Sequence, residues 1–214
     1  MFELPHTTIV NRVVPKNSFD AHISSKQKKL LSNHIDKIRW THKLSKQTIK
    51  LEGKDIQEIQ IFNIFLKEID AVEDVMTIID RCIPYHLLFV LNYKEEILFS
   101  TSQKHLHPTV DNMSVIDWRF KSAWINSETN PFQLVLKSSL DDIYSDFCFQ
   151  LLGKPKTKSL IKHVELEQAK AQLLKEIEKL ESAIIRCKQF NIKVELNLQL
   201  QDKKRVLNEL NNTL

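Results

Sequence analysis

The stretch AVEDVMTIIDRCIPYHLLFVLN, residues 71–92, places a helix, a stop and a strand in immediate succession. Val72, Val75, Met76, Ile79 and Cys82 or Ile83 recur at the spacing that gathers them on one helical face. Pro84 lacks an N–H and disfavours helical geometry in the residue before it, so the helix stops there. YHLLFVLN (85–92) then reads as a buried strand, because it is short, apolar and rich in side chains that suit a pleated surface. Upstream, IQEIQIFNIFLKEI (56–69) has the same β-branched and aromatic enrichment and reads as a second buried strand. Downstream, Lys94–Glu96 form a polar turn and Ile97–Thr101 a further strand, making an antiparallel hairpin with 85–92.

The flanking sequence extends this frame. Thr7–Val14 is a short β-branched strand or arm bounded by Pro15. Ser24 or Ser25 caps a helix through KQKKLLSNHIDKI, with Leu30, Leu31, His34, Ile35 and Ile38 on one face. Trp40 and Leu44 mark a strand, and Ile49 and Leu51 an extended continuation. Val115–Ile125 gives another strand, 126–131 a loop, and Phe132–Leu136 an edge strand. Ser138 or Ser139 caps a helix whose apolar face is Leu140, Ile143, Tyr144, Phe147 and Leu151, with Asp141 and Asp142 complementing its dipole. The expected fold is α+β: a mixed or antiparallel sheet of about five or six strands with about three helices, followed by a helical extension. The body covers 1–153, a basic linker 154–161, and the extension 162–214.

That extension contains neither Gly nor Pro. Leu166, Leu173, Ile177, Leu180 and Ile184 form one apolar seam, and Leu196, Leu200, Leu207, Leu210 and Leu214 a second. The seams are about two residues out of phase, so a helix with one uniform seam does not join them. Two arrangements stay open: a turn near Gln189–Asn191 into an antiparallel hairpin, which is preferred, or one long coiled-coil helix that shifts its contact face. Either way the extension serves assembly. Leu173, Ile177, Leu180, Ile184, Phe190, Leu200, Leu207 and Leu210 are the candidate partner-binding residues.

Charge is unevenly spread along the chain. Residues 1–54 hold 11 Lys or Arg against 4 acids, residues 55–151 hold 7 against 15, and residues 152–214 hold 13 against 8. The basic N-terminal segment makes Arg12, Lys16, Lys26, Lys28 and Lys29 candidates for contact with nucleic acid. Two glycines in the whole chain are too few for a P-loop or a dinucleotide fingerprint. His105 and His107 are the one closely spaced histidine pair, with no cysteine pair to complete a zinc site, so neither metal nor cofactor is expected. The remaining enzymatic alternative is a divergent metal-dependent nuclease built on Glu58 and Lys67, but the neighbouring positions supply no second acid. Three isolated cysteines suit a reducing cytoplasm, and no apolar run approaches membrane-spanning length.

Five segments together resemble a prokaryotic domain-of-unknown-function family: FELPHTTIVNRVVPKNSF (2–19), KIRWTHKLSKQTIKL (37–51), EIQIFNIFLKEI (58–69), IDRCIPYHLLFVL (79–91) and CKQFNIKVELN (187–197). The family is associated with genes for DNA methyltransferases and superfamily-two helicases in restriction or antiphage defence loci. The resemblance implies a non-enzymatic accessory subunit with a helicase or methyltransferase partner, or self-association through the tail. It offers no catalytic residues to carry over.

Overall fold

The computed structural model describes residues 2–154 and 159–211. The chain divides into two compact units, Met1–Thr157 and Lys158–Leu214.

In the first unit the strands are β1 (Ile9–Val13), β2 (Ile35–Ser45), β3 (Glu58–Leu66), β4 (His86–Tyr93), β5 (Glu96–Leu106), β6 (Ser114–Lys121) and the two-residue β7 (Ile125–Asn126). They form one sheet in the order β1-β2-β3-β4-β5-β6, with β7 also pairing β5. Every neighbouring pair is antiparallel except β3 and β4. Those two are parallel because helix α3 (Val72–Arg81) crosses between them, as parallel pairing requires. The helix, stop and strand of residues 71–92 are thus the second half of the crossover that makes the sheet mixed.

The sheet is covered on both faces, and β3 is buried along nearly its whole length for that reason. Phe62, Ile64, Leu87, Phe89 and Leu91 pack with Val75, Met76 and Ile79 of α3 and Leu31 of helix α1 (Ser25–His34). The alternate residues Ile59, Ile61, Leu88 and Val90 point the other way. Helix α4 (Leu140–Leu151) packs on that second face, where Phe147 meets Phe99 edge-on.

Several boundaries differ from the sequence expectation. The Ser24 cap is present as a full capping box with Gln27, but α1 stops at His34. Ile35 and Ile38 belong to β2, where they pair with Leu66 and Ile64. Their three-residue spacing fits one helical face, but their β-branched side chains are equally at home in a strand, and the ladder to β3 decides. Ile49, expected in an extended continuation with Leu51, instead closes one helical turn, α2 (Lys46–Ile49), since Thr48 Oγ1 accepts the Ser45 N–H and donates to Lys43 O. Phe132–Leu136 joins no sheet.

Between the two faces, the loop after α2 is gripped by α4. One Asp141 carboxylate accepts the backbone N–H groups of Lys54 (2.5 Å), Asp55 (3.1 Å) and Ile56 (2.9 Å). Gly53 permits this, because a Cβ there would lie 2.1 Å from Ile56 O.

In the second unit, α5 (Leu160–Arg186) and α6 (Phe190–Asn211) fold into an antiparallel hairpin. The chain breaks at Cys187–Gln189, where the two seams lose phase. Lys203–Glu176 (2.7 Å) and Lys204–Glu181 (2.8 Å) tie the helices across the seam. Half of the expected linker, residues 155–158, and the last seam residue, Leu214, lie outside the described residues.

Candidate interaction site

The hairpin sorts its apolar residues into two sets. Ile177 is buried, and Leu173, Leu180, Ile184, Leu200, Leu207 and Leu210 are half-buried along the seam. These seven predicted partner-binding residues are therefore largely occupied in holding α5 to α6. Phe190, the eighth, is 77% exposed. It begins a second stripe on α6, Phe190, Val194 and Leu198, at successive four-residue steps. Because the seam residues follow a different phase, this stripe lies on the side of α6 away from them. Leu198 is 63% exposed, and Ile185 at the end of α5 is 83% exposed. Ile192 and Val194 are exposed as well. Ile192, two positions from Phe190, falls in the phase of the seam instead, so the exposed stripe is Phe190, Val194 and Leu198, with Ile185 exposed at the end of α5; such a run exceeds the scattered exposure normal for a monomer's surface.

Charge at the tip is one-sided. From Ser182 to Val194 the chain carries Arg186, Lys188 and Lys193 and no acid. All three cations are exposed and make no ion pair among the described residues. Farther along α6 the charges neutralise each other, as Arg205 pairs with Asp202 (3.1 Å) and Glu209 (3.0 Å). Of the tip set, sequence reading found Phe190 but missed Ile185, Val194 and Leu198. The signal was a second helical phase within 185–198, hidden by the stronger leucine seam.

Of the N-terminal basic residues only Lys16 and Lys28 come together, lining one hollow with Asp20, and both are already engaged. Lys16 donates to Ile35 O (2.5 Å) at the C-terminal end of α1, with Lys67 donating to Ser32 O (2.9 Å) nearby. Both ammonium groups complement the negative end of that helix. Burial lowers the Lys16 pKa, Lys67 lowers it further, and Asp36 opposes the shift. Lys28 pairs with Asp20 at 3.2 Å. Arg12, Lys26 and Lys29 are exposed and without an ion pair among the described residues.

The residues considered for nuclease chemistry are far apart. Glu58 opens β3, whereas Lys67 follows its end and is engaged with α1. Glu58 is buried between Lys43 Nζ (2.6 Å) and Gln60 Nε2 (2.5 Å), so both carboxylate oxygens already have donors. Among the described residues no group of three or more His, Cys, Asp or Glu is placed to hold a metal ion. His105, instead of joining His107, pairs with Asp117 at 3.0 Å.

Two buried polar clusters stabilise the body. Lys104 of β5 and Asp80 of α3 are both fully buried and meet at 2.8 Å. The Lys104 ammonium also donates to Asp80 O (2.9 Å) and Ile83 O (2.7 Å), so it caps the C-terminal end of α3 with all three of its N–H groups engaged. Arg119 Nη2 lies 3.4 Å from the other Asp80 oxygen, which accepts no hydrogen bond. Burial lowers the Lys104 pKa while the Asp80 charge raises it. On the opposite face, His86 lies edge-on to Tyr144, and Tyr144 Oη is 3.3 Å from Thr101 Oγ1. Burial holds the His86 pKa down at about 4 and pushes the Tyr144 and Cys148 values up. The Lys104 charge lowers the His86 value further while Asp80 and Asp141 oppose it, and the neutral ring serves as a packed side chain. Its tautomer is fixed by none of the hydrogen bonds found, as Nε2 is buried without a partner.

No helix among the described residues is long and apolar enough to cross a membrane. No curated protein and no solved structure matches the chain. A domain of unknown function, DUF4391, matches residues 2–207, which takes in the sheet, α4 and nearly all of the hairpin. The chain therefore belongs to the DUF4391 family.

Proposed function

We propose that this chain is a non-enzymatic accessory subunit of a prokaryotic DNA-modification or antiphage defence complex, docking through its hairpin tip onto a helicase or methyltransferase partner. The observation that carries the proposal is the exposed apolar stripe Phe190, Val194 and Leu198 with Ile185 at the end of α5, in a stretch whose charges are Arg186, Lys188 and Lys193. Burying such side chains is worth roughly 1.5–3 kcal/mol each, and leaving these four in water has no structural return within the hairpin. The surface that fits is apolar with carboxylates at its rim. A second copy fits worse, because two tips brought together would oppose three unpaired cations with three more. The engagement of Glu58 by Lys43 and Gln60 agrees with a non-catalytic role.

Co-expression with the products of its neighbouring genes, followed by size exclusion, tests the proposal. Co-elution is expected for the natural chain and its loss for Phe190→Asp/Leu198→Asp, with the far-UV spectrum unchanged. A chain that elutes alone beside its neighbours, or tip variants that co-elute normally, would sink it.

A second reading, a nucleic-acid-binding subunit, is favoured by the unpaired Arg12, Lys26 and Lys29. It requires affinity that falls with salt by a logarithmic slope of about −0.9 per phosphate contacted on duplex DNA. Salt-independent or undetectable binding removes it.

A further inference from the structure

Phe132–Leu136 has the side-chain pattern of a strand and no strand beside it. Phe132, Leu134 and Leu136 turn inward, whereas Gln133 and Val135 are exposed, the period of two that an extended chain produces. Phe132 packs on Phe99 with ring centroids 5.1 Å apart, and Gln150 fixes Gln133 by accepting its N–H and donating to its C=O, both at 2.9 Å. The next three residues, Leu134, Val135 and Leu136, have backbone N–H and C=O groups with no partner among the described residues. Phe2–Pro5 shows the same features: Phe2 and Leu4 are half-buried, Glu3 and Pro5 are exposed, and the backbone groups of Phe2, Glu3 and Leu4 are likewise unpaired among the described residues. Phe2 is anchored on Phe99 and Phe147, with centroids at 5.6 and 5.8 Å. Both extended segments line one trough of about 850 Å³, with Glu3 and Glu128 exposed among its lining residues.

We propose that this trough takes an extended segment of a partner protein as an added β-strand, hydrogen-bonded to both walls. Two anchored extended segments with unused backbone donors and acceptors present what a strand must find on either side. Their inward apolar side chains favour an apolar residue at every second position of the guest. Glu3 and Glu128 favour a lysine or arginine among the residues between. The inference is independent of the hairpin tip, since the trough lies wholly within the first unit.

The probe is a phage-displayed library of random octapeptides panned against the full chain, followed by synthesis of the enriched peptide. Enrichment of alternating apolar sequences with an interspersed cation is expected. Binding should slow amide exchange at Leu134–Leu136 and at Glu3 and Leu4. N-methylation of consecutive central amides should weaken binding at least tenfold at each position, because successive N–H groups of a strand point to opposite walls. Val135→Thr should bind as the natural chain does, and Leu134→Asp should not; a melting curve checks that the latter remains folded. Absence of any enriched sequence overturns the proposal. So does a peptide whose binding N-methylation leaves unchanged, and so does sensitivity at alternate amides only, which would mean a single wall.

Discussion

Replacing Lys104 by Met leaves the volume of the site nearly unchanged and removes one charge. Lys104 and Asp80 have side-chain exposures of 1% and 0%, so the carboxylate left behind has no access to water. Arg119 Nη2, at 3.4 Å from the far oxygen, is then its nearest cation. Ile83 O keeps the Ser114 hydroxyl at 3.0 Å, but Asp80 O at the end of α3 loses the ammonium. Breaking a buried ion pair from one side costs about 3–5 kcal/mol, largely the penalty of the stranded charge. The residual Arg119 contact places Lys104→Met near 3 kcal/mol. Urea unfolding at neutral pH, followed by circular dichroism, reads this as a lower midpoint at unchanged slope. Removing both charges, as in Asp80→Leu/Lys104→Met, should recover most of the loss, since apolar replacement of a buried pair is commonly neutral. A single-variant cost below about 1 kcal/mol would refute the reasoning, because such a pair behaves as a solvated one. A double variant as unstable as the single would refute the assignment of the cost to the stranded carboxylate.

Other expectations follow from single sites. His86 has its pKa lowered from 6.5 to about 4, so between those values the unfolded chain binds the proton and the folded chain does not. Its contribution is complete above pH 6.5 and is lost as pH falls towards 4, amounting to about 3 kcal/mol over the whole window. Urea midpoints measured at a series of pH values should show the slope, and His86→Leu should reduce it by up to one proton. Gly53→Ala forces a Cβ to within 2.1 Å of Ile56 O, so the loop held by Asp141 must move. A loss of about 1–3 kcal/mol is expected from thermal unfolding, the range for overpacking. Ile177→Ala removes the buried residue of the hairpin seam and should cost about 2 kcal/mol, the low end for such truncations because its surroundings are only half-buried. Helical signal lost at lower temperature, with the melting of the sheet unchanged, would be the reading.

The local grammar of this chain is legible in its residues. Pro84, the Ser24 and Ser139 caps and the turn at Lys94–Glu96 each determine their own boundary, because a missing N–H or a side-chain oxygen acts within a few residues. The phase slip between the two leucine seams points to a turn near Gln189–Asn191 but leaves one long helix open; the structure makes the hairpin and puts the break at Cys187–Gln189, with Phe190 and Asn191 already in α6. What tertiary structure alone decided depends on distant neighbours. Ile35 and Ile38 suit helix or strand equally, and only the ladder to β3 assigns them. Phe132–Leu136 has the pattern of a strand, but pairing is a property of two segments, and no segment lies beside it in the sheet. Lys104 and Asp80 are twenty-four residues apart and look like ordinary surface charges until the sheet closes over them. At the hairpin tip the sequence named the leucines of the seam and Phe190. Folding then buried part of the seam, leaving Ile185, Phe190 and Leu198 in water, because each helix can turn only one face to the other.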